Sequence, residues 1–564
     1  MKLHTQFLRL YSHYGSSEEI AITLDELAIT FTCTHRNALT IINKMVQNGW
    51  ILWFPQRGRG RRSKLQFLIQ PEEIAVESMM QAINRHDIKE AIGQIRVHSR
   101  SSSMQDRLQG WMLSYFGHHS EMKRDKQIDT LRIPIRQQLH TVDPLYMNLL
   151  AESFVSSHVF DGLVRRENNS NEIVPNIAHA WEVDDRRTMW TFFLRKEVLF
   201  HNGSIMTAED VVYTFQRLIE TSRRTLYSFI FKQIESIRAI NATTVCITLK
   251  EPNELFLSFL CTSRATIVPR GLDQLTEASF GTKPIGTGPF KVTEMNDTVC
   301  VLEVFPHYFQ GRAHLDRVEI LQIPWGNEPE TTDQGEQTSP FHVILSPSSA
   351  EGQSWSQIHS EASVRKFVTC NTQKTGPLSD PVVRAHILSC LSPDEVDDVN
   401  FHREADIMNL GPIQIATIPQ YRKDAKYIAA RLQSFGYECK VVSSSPEEFK
   451  GSIRLESDLI VFSLFRDQDE QLRLFDLYQT MSAHVEPHTR VDIMKSLDSV
   501  SRESEPLARA RLFKTIEARL IQEHQLHILY EKKVQTAYLP SVRGVTFNSQ
   551  GWVDLRHIWF PPTS

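Results

Sequence analysis

Nine consecutive residues, Gln56-Arg57-Gly58-Arg59-Gly60-Arg61-Arg62-Ser63-Lys64, form a basic ribbon between two apolar segments. Glycine lets a hairpin tip turn at positive φ. The cations at Arg57, Arg59, Arg61, Arg62 and Lys64 are suited to neutralising phosphates and releasing their counterions. Upstream, Thr34, His35, Arg36, Asn37 and Thr40 occupy the first turns of a second expected helix. Their side chains suit hydrogen bonding to base edges, with Arg36 and Asn37 the foremost base readers and the ribbon arginines the phosphate contacts.

These side chains need a frame. Thr23-Leu24-Asp25-Glu26 is a capping box, in which the Thr hydroxyl and the Glu carboxylate satisfy free amides at a helix start. Leu24, Leu27, Ala28 and Phe31 follow at helical spacing. Thr32-Cys33-Thr34 makes a turn, and Thr34 is placed to cap the next helix. There Ala38, Leu39, Ile42, Met45 and Val46 are the expected core positions. With a first helix over 3–14 and strands over 50–54 and 65–69, the pattern is a winged helix-turn-helix whose wing is the basic ribbon.

Charge divides the chain at the same place. Residues 1–70 hold nine Lys or Arg against four acids, a net of +5, whereas the whole chain is −5 and residues 71–564 are therefore −10. A small positive module on a large negative body suits a head that meets nucleic acid. At 564 residues, 41% apolar and 23% charged, the chain exceeds one ordinary core and has the composition of a folded soluble protein. No apolar run approaches the roughly 20 residues of a membrane span, so no membrane partner is expected. The first residues lack a signal-peptide core, and seven cysteines without C-x-x-C spacing suit reduced thiols. Both point to the cytoplasm. No metal, cofactor or nucleophile constellation is present. Thr282-Lys283-Pro284-Ile285-Gly286-Thr287-Gly288 has its lysine and glycines in the wrong order for a phosphate loop. No enzyme activity, catalytic residue, metal or cofactor is expected.

Residues 71–120 read as helix-like, a connector over 71–125 that also offers a surface for a homodimer. From 126 strands and helices alternate to the end: a strand over 128–136, a helix over 149–163, a strand over 188–195, a helix from Thr207 to Glu220, then strands over 234–239 and 244–249. Residues 326–340 are polar and expected to be mobile.

This body resembles a known family. Val159-Phe160-Asp161-Gly162-Leu163-Val164 and Ile173-Val174-Pro175-Asn176 are similar to the opening of oligopeptide- and nickel-type solute-binding proteins of family 5. The run Trp190-Thr191-Phe192-Phe193-Leu194-Arg195, with His201-Asn202-Gly203 and Thr207-Ala208-Glu209-Asp210-Val211, resembles that family's signature. So do Gly286-Thr287-Gly288-Pro289-Phe290 and Asn371-Thr372-Gln373-Lys374 with Asp380-Pro381-Val382-Val383-Arg384, in order along the chain. A winged helix in front of such a body resembles the SgrR-type transcriptional regulators. The resemblance implies a multidomain protein: a winged helix-turn-helix over 1–70, the connector, and over 126–564 a two-lobed α/β fold of the type II periplasmic-binding-protein kind, its second lobe over roughly 325–530. It also implies a ligand-sensing body.

Trp190, Phe192, Leu194, Phe200 and Val211 are spaced as core positions, and Gly286 and Gly288 as bend formers. In peptide-binding relatives an Asp after a strand like Leu459-Ile460-Val461-Phe462 pairs with the peptide's amino group; Asp467 lies where that residue would be. An exposed loop carboxylate is the other reading of Asp467. Arg384 either meets an anionic ligand or pairs with an acid of its own surface. The function expected is regulation of transcription on double-stranded DNA under control of a small molecule or peptide, with a sugar phosphate or metal chelate as further ligand classes. The alternative is the solute-binding component of an ABC-type importer.

Overall fold

The computed structural model describes residues 3–15, 19–56, 61–84, 116–123, 126–135, 138–167, 172–221, 225–322, 356–392, 411–445, 448–449, 451–466, 469–538, 542–548 and 552–561. The polar run over 326–340 lies outside them.

The head consists of α1 (Leu3–Tyr14), β1 (Ile20–Ile22), α2 (Leu24–Thr30), α3 (His35–Gln47), β2 (Ile51–Phe54), β3 (Ser63–Phe67) and α4 (Pro71–Asn84). Its sheet has the order β1-β3-β2, antiparallel throughout, with Phe54 opposite Lys64. The capping box forms: Glu26 accepts from the Thr23 backbone N–H at 2.8 Å and Thr23 Oγ1 accepts from the Glu26 N–H at 3.2 Å. Phe7, Leu10, Leu27, Phe31, Ala38, Ile42, Met45 and Trp50 build one apolar core, with Phe7 edge-on to Trp50 at 5.6 Å. Ile74 of α4 joins that core, so the helix beyond residue 70 packs on the head.

Two core assignments in α3 change. Leu39 is 37% and Val46 38% exposed. Ala38, Ile42 and Met45, spaced i, i+4, i+7, already form the buried stripe, and Leu39 and Val46 stand about 100° around the helix from it. A second difference lies at the end of the expected connector. Gly117–Lys123 is a strand, paired antiparallel with Lys126–Ile135 from Gly117 opposite Arg132 to Lys123 opposite Lys126. It is the edge strand of its sheet, and an edge strand bonded on one side needs no apolar alternation.

That sheet runs Phe290–Met295, Val299–Val304, Arg317–Gln322, Lys126–Ile135, Gly117–Lys123, with the pair Arg317–Gln322 and Lys126–Ile135 parallel. The chain's end returns to it: Trp552, Leu555, Ile558 and Phe560 are buried in the same core as Leu131, Phe154, Phe160, Phe290 and Ile320. A four-stranded antiparallel sheet (Ile234–Asn241, Thr244–Leu249, Met189–Leu194, Ala178–Val183) lies with the helix Ala208–Glu220. Trp190, Phe192, Leu194, Phe200 and Val211 are all buried there, which is the structural role their spacing suggested. The third body sheet is mixed, in the order Cys439–Ser443, Ile413–Thr417, Leu459–Arg466, Ser356–Cys370, Leu526–Tyr538.

The bend at Gly286 and Gly288 has a steric cause. A Cβ on Gly286 would lie 2.0 Å from the Val159 carbonyl oxygen, and one on Gly288 would lie 2.6 Å from the Val159 carbonyl carbon. His201 braces the same bend. Its Nδ1 accepts from the Gly286 N–H at 3.2 Å, and its Nε2 donates to the Gly288 carbonyl at 3.0 Å.

Candidate nucleic-acid interface and lobe boundary

Helix α3 begins at Thr34, whose Oγ1 accepts from the Asn37 N–H at 3.4 Å. Thr40 donates its hydroxyl to the Arg36 carbonyl at 3.0 Å. Both hydroxyls are thus held to backbone, which fixes the helix start. Opposite the buried stripe, Arg36, Thr40, Asn43 and Gln47 are all exposed at i, i+4, i+7, i+11. Asn37 is exposed to one side of that row, and His35 at the first position of the helix. Asn43 and Gln47 were not among the sequence candidates. Their spacing from Arg36 was the signal that finds them.

The described part of the wing brings Arg61, Arg62 and Lys64 to the surface; Arg57 and Arg59 lie outside the described residues. Three basic side chains of this face meet carboxylates of the head itself. His35 Nε2 lies 2.7 Å from Asp25, Arg62 Nη2 3.6 Å from Glu26, and Lys64 Nζ 2.9 Å from Glu19. The Thr23 backbone N–H, with its hydroxyl and then Arg62 adding to it, holds the Glu26 carboxyl below the usual range despite some desolvation.

In the body, side chains of the 166–258 stretch meet those of the 469–476 stretch at a boundary beside one apolar core. Arg166 Nε lies 3.5 Å from Asp469 Oδ1, both nearly fully buried, and Arg166 Nη2 donates to Ser258 Oγ at 2.9 Å. The Phe229 and Phe475 rings stack at 4.0 Å, and Asp476 accepts from the Tyr227 N–H at 3.0 Å. Phe465 stacks on Trp552 at 5.3 Å. Burial pushes the nearby Cys261 thiol up to about 12, Arg166 opposing and Asp469 adding.

Of the two ligand candidates, Asp467 lies outside the described residues. Asp469, two positions on, is the buried acid at this boundary, a residue that sequence reasoning missed. Arg384 is 3% exposed, 3.1 Å from Glu486, and donates to the Leu378 carbonyl at 2.9 Å. Its charge is met within the protein by an acid of the same chain, Glu486. The Asn371–Lys374 stretch is also tied internally: Asn371 donates to the Ser457 carbonyl at 3.0 Å and Lys374 to Asp458 at 2.8 Å. Lys366, fully buried, lies over the Tyr421 ring at 3.2 Å and 3.0 Å from Asp424; burial pushes it down to about 8, Asp424 opposing. Among the described residues no group of three or more His, Cys, Asp or Glu is placed to hold a metal, and all seven cysteines are free thiols.

Two family models match the two parts. "Sugar transport-related sRNA regulator N-term" covers residues 2–118, and "Bacterial extracellular solute-binding proteins, family 5 Middle" covers 172–388. The HTH-type transcriptional regulator SgrR of Pectobacterium atrosepticum is 24% identical over 100% of this chain and 99% of its own. The chain has the SgrR-type architecture. The YhjP protein of Bacillus subtilis shares it at 26% identity, over 99% of this chain and 100% of its own. Within the SgrR-type arrangement, the body has the family 5 fold. Similar solved structures are the periplasmic binding protein DppA of Helicobacter pylori (TM-score 0.61, 18% identity, 76% of this chain and 98% of that one) and the oligopeptide-binding protein AppA of Bacillus subtilis (TM-score 0.60, 16% identity, 77% and 99%). Among the described residues no helix is long and apolar enough to cross a membrane.

Proposed function

We propose that the chain is a DNA-binding transcriptional regulator whose family 5 body senses a small solute. The observation that carries this reading is the union, in one chain, of the SgrR N-terminal region and the solute-binding fold, matched over the full length of SgrR regulators. The head binds double-stranded DNA through Arg36, Asn37 and the outer face of α3, with Arg57, Arg59, Arg61, Arg62 and Lys64 on phosphates. The body binds its ligand without turnover, and the protein acts in the cytoplasm, where its DNA is. An importer component would leave the region over 2–118 without a role.

The ligand class we favour is a peptide, since the DppA and AppA structures are complexes with the peptide STSA and with a nonapeptide. The solved NikA of Brucella suis (TM-score 0.58, 19% identity, 76% of this chain and 100% of that one) holds Fe(III)-EDTA, which keeps metal chelates in the screen beside sugar phosphates. Such a ligand alters the head only by binding two states of the body with different affinity. The boundary at Arg166, Asp469, Phe229 and Phe475 is where those states would differ.

The test is a thermal-shift screen of the full chain with short peptides, sugar phosphates and metal chelates. A hit at a hundredfold its dissociation constant adds about 2.7 kcal/mol of stability. Because coupling is reciprocal, the same compound changes DNA affinity. A hit that leaves DNA affinity and promoter output untouched overturns the sensor reading.

A further inference from the structure

The head holds few carboxylates: Glu18, Glu19, Asp25 and Glu26 are the four acids of residues 1–70. Three of them are set against basic side chains of the surface proposed to face DNA: Glu19 on Lys64, Asp25 on His35, Glu26 on Arg62. These are exposed pairs, with side chains 38–72% accessible, so stability gives little reason for them. Two of the acids sit at the start of α2 and one beside β1, and each is matched to a basic side chain from elsewhere in the head, the first turn of α3 or the wing.

We propose that Glu19, Asp25 and Glu26 act as a carboxylate guard that weakens binding to duplex DNA of arbitrary sequence and so sharpens the head's selectivity. This rests on the DNA-binding reading above. A phosphate approaching Lys64, His35 or Arg62 competes with a carboxylate already there and is repelled by it. Non-specific binding consists almost wholly of phosphate contacts and counterion release, so it bears the full cost. Binding at a matched site adds base contacts from Arg36 and Asn37, which the guard carboxylates do not pair. Selectivity then comes from weakening the wrong partner as well as from contacts to the right one.

Glu26 also serves the capping box, so the informative substitutions are Glu19→Gln and Asp25→Asn, which keep size and hydrogen bonding. The full chain is titrated with a fluorescent 30-base-pair duplex of random sequence across a salt series. The E19Q/D25N variant is expected to bind about three- to tenfold more tightly than wild type at low salt, with a steeper salt slope by up to about two counterions. A control, E235Q/E438Q, makes the same change of net charge on exposed positions of the body and is expected to change affinity less than twofold. The single variants and thermal melts separate loss of fold from loss of guard. Equal or weaker binding by E19Q/D25N, or an equal gain by the control, overturns the guard. If wild type does not bind the duplex at low salt, the DNA-binding reading itself fails.

Discussion

Phe560, near the chain's end, lies flat against His118, the second residue of the first body strand described after the head, with ring centroids 3.6 Å apart and planes 8° from parallel. His118 also hydrogen-bonds Asp129 at 2.9 Å. Burial alone would raise the Asp129 carboxyl; hydrogen bonds from His118, Gln127 and Ser120 outweigh it and hold it below the usual range. The C-terminal segment therefore grips the strand by which the chain enters the body, while its Trp552 stacks on Phe465 of the third body sheet.

Phe560→Ala is expected to cost about 3 kcal/mol of stability, because a buried ring is removed from a packed site. Hydrogen exchange should locate the effect, with amides of Gly117–Lys123 losing protection before those of the four-stranded sheet. Uniform loss across both sheets would show that the stack does not specifically anchor the entry strand.

Buried His158 and half-buried His201 are expected to make the body sensitive to mild acid. His158 donates from Nδ1 to the Phe154 carbonyl at 2.8 Å and accepts at Nε2 from the Leu555 N–H at 3.1 Å. His201 is held the same way between Gly286 and Gly288, so each ring has one nitrogen that must stay unprotonated. Burial lowers both, His201 to about 4. Below pH 6.5 the unfolded chain takes up protons that the folded chain refuses, so stability falls as pH drops from about 6.5 to about 4, by up to about 3 kcal/mol for His201. His201→Asn should flatten the stability-against-pH curve in that window. A curve as steep as wild type would remove His201 as a source of the acid response.

Asp469→Asn should destabilise the body by about 3 kcal/mol, since it removes a negative charge 3.5 Å from the buried Arg166 guanidinium. Adding Arg166→Met should recover much of that loss. Chemical denaturation of the two single variants and the double closes the cycle. Additive losses would show that the two side chains do not act as a pair across the boundary.

How far the fold could be read in advance followed from how local its causes are. The Thr23–Glu26 capping box and the Thr34 cap involve residues three apart, so type and spacing were enough. Leu39 and Val46 were misplaced because apolar character does not say which side of a stripe a residue falls on. Gly117–Lys123 was misread because a polar edge strand carries no period and takes its form from a neighbour. Asp469 carried no signal of its own, because its burial beside Arg166 depends on a partner far away in sequence. The acids Glu19, Asp25 and Glu26 were visible as charges but not as partners, because pairing Glu19 with Lys64 requires β1 to lie beside β3.

The central claim is that the head binds duplex DNA through α3 and the wing. Fluorescence anisotropy of the full chain with labelled duplex, from low to physiological salt, tests it most directly. Wild type is expected to show log affinity falling linearly with log salt, Arg61→Ala/Arg62→Ala to flatten that slope by about one unit per lost phosphate contact, and Arg36→Ala to cost about 1–3 kcal/mol on a cognate site and little on random duplex. Absence of binding at low salt, or an affinity and slope unchanged in the wing variant, would contradict the account.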